Sequence, residues 1–441
     1  MGIQIRRTKA ELALADLYTN ARGSLPGGEE IVAVRSAAFD RFNAAGLPHR
    51  RIEAWKYTDL RGQMKEAKPL ASAPDDAARL RAREADDMFA GAGFRRLMII
   101  DGAFAAELSD LAELEPGLTI TAMADALSLD HPLLSQRLGP MVPENDPALA
   151  LNTAFAGDGA VVCVSPGTVL RRPIHLFFVT TDRVGTSMFT RSLVNIGSGA
   201  SATVVETHQG PEGIDYQSNT AIQLVVGDGA RIDHVKVTRE GDGALHVASL
   251  LANIGARATF NQLGFTVGGA LVRNQLFVRL AGEGTIVDLR GASLLAGTQH
   301  ADTTLAIDHA AANCQSRETF KAVVDDRARA VFQGRITVSP GAQKTDAKMM
   351  SRALLLSDEA EADGKPELEI FADDVQCGHG ATTGAIDENL RFYLMARGIP
   401  EKQAEALLIQ AFVGEVIEGV TDESIKDALT QAMLDWLGQR G

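Results

Sequence analysis

Residues 197–208 read GSGASATVVETH, a polar glycine turn set directly before a β-prone run. The same arrangement returns at 227–238 (GDGARIDHVKVT), 255–265 (GARATFNQLGF) and 282–292 (GEGTIVDLRGA). Counted from Gly199, Gly229, Gly255 and Gly284, the steps are 30, 26 and 29 positions. Self-similarity at a period of about 20 to 50 residues marks a solenoid, a propeller or a stacked array. A parallel β-helix fits best, because its coils need short strands, Gly and Asp at the corners, and small residues such as Ala where coils are narrow. A propeller fits poorly: no Trp-Asp blade signature recurs, and aromatic residues make up 5% of the chain. Leu276, Val278 and Leu280 alternate with Phe277 and Arg279, the pattern of one buried and one wet face. Later turns, Asp326-Arg327-Ala328 and Asp358-Glu359-Ala360, keep the order of turn and strand but lose the Gly, which predicts a register that loosens toward the C-terminal end. A β-helix also leaves end coils that need caps.

Working outward, the texture turns β-like from about residue 151, and what lies before it is helical. Helical spacing over 8–20 and 29–45, with Ile31, Val34, Ala38, Phe39 and Phe42 on one face, predicts two amphipathic helices separated by Pro26-Gly27-Gly28. Trp55, in RIEAWKYTDL, reads as a packing anchor, and LMII at 97–100 ends in the turn signal Asp101-Gly102. Downstream, Asp387 is placed to cap a helix running to Ala396 or Arg397, with Gly398 ending it and Pro400 in the first turn of the next. That next helix puts Ala404, Leu407, Leu408, Ala411, Phe412 and Val416 on one stripe. A third starts near Thr421 or Asp422 and carries Ile425, Ala428, Leu429, Ala432 and Trp436. These helices either cover the solenoid or form a partner surface. The resulting division is a mainly helical region over 1–95, a β-helix core over 96–380 and a C-terminal helical region over 381–441.

Composition narrows the function. A net charge of −14 argues against nucleic acid or anionic lipid as the main partner. Three scattered cysteines, Cys163, Cys314 and Cys377, make no disulfide framework and suit a reducing, cytoplasmic setting. No apolar segment follows the basic N-terminal residues, no membrane-length apolar run occurs, and Arg6 stands where a myristoylation signal needs Ser or Thr, so a soluble, unanchored protein is expected. The Gly-x-Gly turns recur between strands instead of opening a helix, which excludes a nucleotide loop. Asp325-Asp326 and Asp373-Asp374 raise the alternative of a β-helical carbohydrate-active enzyme, but neighbours in a strand face opposite ways, and two Trp and four Tyr offer few sugar platforms. Gly-x-Ser-x-Gly is absent, and no third group orients His379 as a base for Cys377.

The chain's only close pairing of Cys with His lies in 366–398, PELEIFADDVQCGHGATTGAIDENLRFYLMARG. Residues 367–375 look extended, and Gly378, Gly380 and Gly384 then suggest a strand end running into a tight loop. Should the chain stay extended there, Cys377 and His379 share one side and meet one ligand together. Two donors do not close a thiolate/imidazole metal site, so the remaining ligands would belong to another chain. The same residue types also suit a Cys in an apolar slot and a His hydrogen-bonded in a turn.

RALLLS at 352–357, KPELEIFADDVQCGHGATTGAIDE at 365–388, RFYLMARGI at 391–399 and AFVGEVI at 411–417, with EAWKYT at 53–58 and LNTAF at 151–155, resemble the SufB/SufD family of the SUF iron–sulfur cluster assembly system. ADDVQCGHGATTG points to the SufD branch, because the SufB segment carries His-Glu-Ala-Thr-Thr-Ser and a further upstream Cys that is missing here. The resemblance implies a right-handed parallel β-helix with helical flanks, acting as a non-enzymatic scaffold. It implies pairing with SufB through the β-helices and holding of the ATPase SufC on the C-terminal helices, from Asp387 to Leu437. His379, with Cys377 as its less certain neighbour, becomes a candidate ligand for a transient iron–sulfur cluster at the SufB interface. No tightly bound cofactor is expected in the isolated chain, and pairing of two copies as a homodimer is left open.

Overall fold

The structure, a computed structural model, describes residues 7–129 and 146–440. The lipidation reading at positions 2 and 6 lies outside the described residues. Among the described residues, nineteen strands fall into two sheets of ten and nine. Each coil of the chain gives one strand to each sheet, so the sheets face each other across a lumen as a flattened parallel β-solenoid.

One sheet stacks Ile174–Val179, Ser201–Gln209, Arg231–Arg239, Thr259–Thr266, Ile286–Leu295, Gln315–Val324, Asp346–Leu355 and Gln376–Gly384. The other stacks Ala160–Val164, Ser187–Ile196, Gln217–Val226, Leu245–Ile254, Leu271–Leu280, His300–His309, Arg329–Val338 and Glu361–Ile370. Pairing is residue for residue, so side chains stand in columns: Ala202, Ile232, Phe260, Val287, Ser316, Ala347 and Cys377 form one column facing the lumen. Val204, His234, Gln262, Leu289, Glu318, Met349 and His379 form the next inward column. Strand alternation makes this possible, because Leu276, Val278 and Leu280 turn inward while Arg279 stays in water.

The corners explain the repeat. Gly199, Gly229, Arg257, Gly284, Asn313 and Lys344 all hold positive φ, between 53° and 70°, and stack at steps of 30, 28, 27, 29 and 31 residues. Their backbones join neighbouring coils, as in Gly199 N–H to Asp228 O at 2.8 Å and Gly229 N–H to Ala256 O at 2.7 Å. The third corner therefore turns on Arg257, two residues past the Gly255 that marks it in the sequence. The predicted loosening does not occur: ten-residue strands keep full register to Leu355 and Ile370, and the corners merely replace Gly by Asn313 and Lys344. Asp326 belongs to the opposite corner, where it also holds positive φ.

The two ends of the solenoid differ. At the N-terminal end, Arg95–Ile100 adds in parallel to Ile174–Val179, and Leu118–Ala122 adds antiparallel to Ala160–Val164. Leu118 is buried there, and Phe104, Leu111, Leu114 and Ile120 pack onto the lumen core. At the other end the sheets simply stop at Glu361–Ile370 and Gln376–Gly384.

Helices cover both outer faces. The predicted N-terminal helices form as Lys9–Ala21 and Glu29–Ala45, the first closed by a Thr8/Glu11 capping box. They clasp Pro147–Phe155, a fully buried helix where β texture is expected from residue 151; the regular strands begin at Ala160. Trp55 is fully buried, donates to Asp146 at 3.0 Å and stacks on Arg273, which bears out its packing role. On the ten-stranded sheet, Glu401–Ile417 and Glu423–Gln439 cover Val235, Val237, Leu263, Phe265, Leu294 and Val323. Burial on the first of these helices falls on Ala404, Ile409, Val413, Val416 and Ile417, whereas Leu407 is exposed, so the stripe is rotated from the expected one. Pro400 is the N-cap instead of a first-turn residue. No helix among the described residues is long and apolar enough to cross a membrane.

Candidate functional site

The last coil carries the Cys/His pair, in a conformation the glycines do not suggest. Gln376–Gly384 is a regular strand paired in parallel with Asp346–Leu355, and none of Gly378, Gly380 and Gly384 takes a positive φ. The expected tight loop is absent because the preceding turn, 371–375, already makes the corner. Extension through this strand puts Cys377 and His379 on the same side, above the buried lumen residues Ala347 and Met349. Cys377 is half-buried against the lumen core, whereas His379 is exposed. Burial pushes the Cys377 thiol up, with Asp346 and Glu318 nearby adding to the effect. Unaided, the sulfur therefore stays protonated near neutrality, and a cation brought against it would favour the thiolate.

Two more groups lie in the lumen directly behind. Glu318 stands in the His379 column with Met349 between them, fully buried, and neither carboxylate oxygen has a hydrogen bond of good geometry. Burial pushes its pKa up to about 8, so the group is mostly a neutral acid at pH 7. His309 Nε2 lies 2.9 Å from Ser316 Oγ, and burial drives that imidazole down to about 4.

The backbone around the pair is unusually open to a partner. Both last strands are sheet edges with unpaired N–H and C=O groups. Glu361–Ile370 carries the protections expected of an edge, namely Pro366 and a run of charges. Gln376–Gly384 carries neither: its sequence, QCGHGATTG, contains no Pro, Lys, Arg, Asp or Glu. Ile370 and Phe371 are exposed beside it.

A second exposed surface follows. Asp387 caps the helix Glu388–Met395 through Asn389 N and Leu390 N, as expected, but this helix buries nothing. Leu390, Phe392, Tyr393 and Met395 all face solvent, and Arg391 ties the helix to Glu401 and Glu405 on the next.

Sequence reading passed over a group deeper in the lumen. Glu206, His208, His234, Lys236, Glu240 and His246 are all buried and in mutual contact. Its signal is visible in ATVVETH and RIDHVKVT, where polar residues two apart continue the inward face of Val204 and Ile232. Asp325, by contrast, pairs with Arg440 and Asp374 with Lys344, so these turn carboxylates are structural. None of the three cysteines forms a disulfide.

The sequence model described as SUF system FeS cluster assembly, SufBD core domain, matches residues 177–412, and that of the SufBD protein N-terminal region matches 8–176. The iron–sulfur cluster assembly protein SufD of Escherichia coli is 31% identical over 90% of this chain and 89% of its own length. An iron–sulfur cluster assembly SufBD family protein of Synechocystis is 30% identical over 98% of this chain and 96% of its own. SufD of Bacillus subtilis is 28% identical over 64% and 65%.

Proposed function

This chain belongs to the SufBD family of iron–sulfur cluster assembly proteins and is SufD-like, and on that premise we propose that it is a non-enzymatic cytoplasmic scaffold whose open last coil pairs with the β-solenoid of SufB. The observation that carries this reading is the unprotected edge Gln376–Gly384 with Cys377 and His379 on its lumen side. A second solenoid docked there satisfies the free backbone groups and brings further donors to the pair. Its cargo is a nascent iron–sulfur cluster, with His379 as a ligand and Cys377 beside it, and the remaining ligands come from SufB.

The exposed apolar face of Glu388–Met395, within the C-terminal helical region over 381–441, is the docking surface for SufC. ATP hydrolysis then belongs to the partner, consistent with Gly-x-Gly turns that lie between strands.

The test is anaerobic cluster formation in the complex co-expressed with SufB and SufC, with the chain intact or carrying His379→Ala. Bound iron, sulfide and visible absorption report the cluster. Normal assembly with little cluster supports His379 at the chemistry. Unchanged cluster yield in an intact variant complex removes His379 from it. Retained SufC binding after Phe392→Ser and Tyr393→Ser would defeat the SufC assignment.

A further inference from the structure

The buried lumen group has a composition that packing alone does not call for. Glu206 and His208 come from Ser201–Gln209, His234 and Lys236 from Arg231–Arg239, Glu240 from the turn that follows, and His246 from Leu245–Ile254. All six are nine-tenths buried or more. His208 Nε2 lies 2.8 Å from Glu206 Oε2, and His234 Nε2 lies 3.3 Å from Glu206 Oε1. Tyr216 donates its hydroxyl to Glu240 Oε2 at 2.6 Å. Lys236 Nζ stands 2.9 Å from His246 Nε2 and 3.1 Å from Thr238 Oγ1.

Two features point to a cation. First, His246 Nδ1 approaches Glu240 Oε1 to 2.9 Å without lining up as a hydrogen bond, and His234 has no well-aligned partner at either ring nitrogen. A separation near 3 Å between off-line donor atoms is the spacing of adjacent ligands on an ion bound at about 2.0–2.1 Å. Second, ligand atoms of His208, Glu240 and His246 all lie within 4.8 Å of one another, and all three side chains are buried.

We propose that His208, Glu240 and His246 form an internal site for a first-row divalent transition-metal ion. Two imidazoles and one carboxylate are the donor set of zinc and of non-haem iron(II); magnesium and calcium favour all-oxygen sets, whereas two of these three donors are nitrogen. Beside the site, Glu206 and Lys236 line a narrow lumen cavity of about 70 Å³, whose walls also include Gly264, Gly291, Ser351 and Thr383.

The site is independent of the Cys377/His379 pair, and its test keeps the two apart. The full chain, stripped with chelator, is titrated anaerobically with Co²⁺ while visible ligand-field bands are recorded. Zn²⁺ and Fe²⁺ then compete for the bound cobalt and show which ion is held more tightly. The expected result is about one Co²⁺ per chain, at least tenfold weaker in Glu240→Gln and His246→Gln and unaltered in a Cys377→Ser, His379→Ala double variant. Lys236→Met, which removes a cationic side chain 2.9 Å from His246, is expected to bind at least tenfold more tightly, a gain that a misfolded protein cannot mimic. Absence of saturable binding in both the native chain and Lys236→Met overturns the proposal. So does binding that survives both Glu240→Gln and His246→Gln, or binding that disappears with the Cys377/His379 double variant.

Discussion

The coil carrying Leu289 and the coil carrying His379 are built alike, with strands in the same register and inward columns that run from one into the other. They differ in what lies above them. Leu289 is sealed by coils on both sides and is fully buried, whereas the last coil has a neighbour on one side only. In a repeat architecture each unit is stabilised by its neighbours, so a unit that lacks one is where stability is lowest and chemistry is accessible. Position along the stack, more than residue type, separates the structural part of this lumen from the part open to a partner.

That contrast can be broken most directly by one substitution made twice. Leu289→Ala is expected to cost about 2–5 kcal/mol, as for a fully buried leucine, and Leu368→Ala, half-buried on the inner face of the last coil, about 1 kcal/mol. Urea midpoints compare them; equal losses would mean that the last coil is as sealed as the middle.

The next effect sharpens where sealing begins. Glu318 has a folded pKa raised to about 8, above its unfolded value of roughly 4.3, so the folded state holds the proton longer. Stability from this residue is full below about pH 4 and falls as pH rises toward 8. Between pH 5 and pH 8 the loss is on the order of 3 kcal/mol. Glu318→Gln should flatten that slope in urea titrations at the two pH values. A variant with the native slope would place water, and the boundary of the open coil, at Glu318.

A smaller effect tests whether the side helices share in sealing the interior. Lys321 is buried, donates to Phe412 O at 2.6 Å and pairs with Glu415. Lys321→Met should cost about 1–2 kcal/mol and expose 401–417 to proteolysis before the solenoid is cut. Simultaneous cleavage of both would show that helices and coils open as one unit.

Smallest is the corner substitution. Arg257→Gly relieves a left-handed residue and should stabilise by about 0.5–1 kcal/mol, the steric gain less the cost of a freer unfolded chain. Lys344→Gly, one coil from the end, also loses the ion pair with Asp374 and should gain less. Thermal melts order the two.

Much of this molecule is legible in the sequence because its signals are local. The glycine corners, the alternation at 276–280, the caps at Asp387 and Asp422 and the burial of Trp55 follow from residues near one another in the chain. The misreadings arise where a tertiary constraint outweighs a local preference. Arg257, Asn313 and Lys344 adopt a glycine-like conformation because the coils above and below fix the corner. Gly378 and Gly380 stay extended because the ladder to Asp346–Leu355 holds them. Pro147–Phe155 is a helix because the helices and the nine-stranded sheet enclose it on all sides. Cys377 and His379 could be paired by spacing alone, but Glu240 and His246 lie across a turn from strands not adjacent in sequence to Glu206, so their meeting with His208 required the register of the whole stack.

The unequal ends carry one further consequence. A rod sticky at both ends grows without limit, head to tail, into a fibre. This rod is closed at one end by the antiparallel strand Leu118–Ala122 and open at the other. On the proposed end-to-end pairing, the one open end of each participant is consumed and none is left behind, so growth would terminate at two solenoids. The cap near the N-terminus would then limit the number of solenoids from the far end of the molecule, without touching the joint itself.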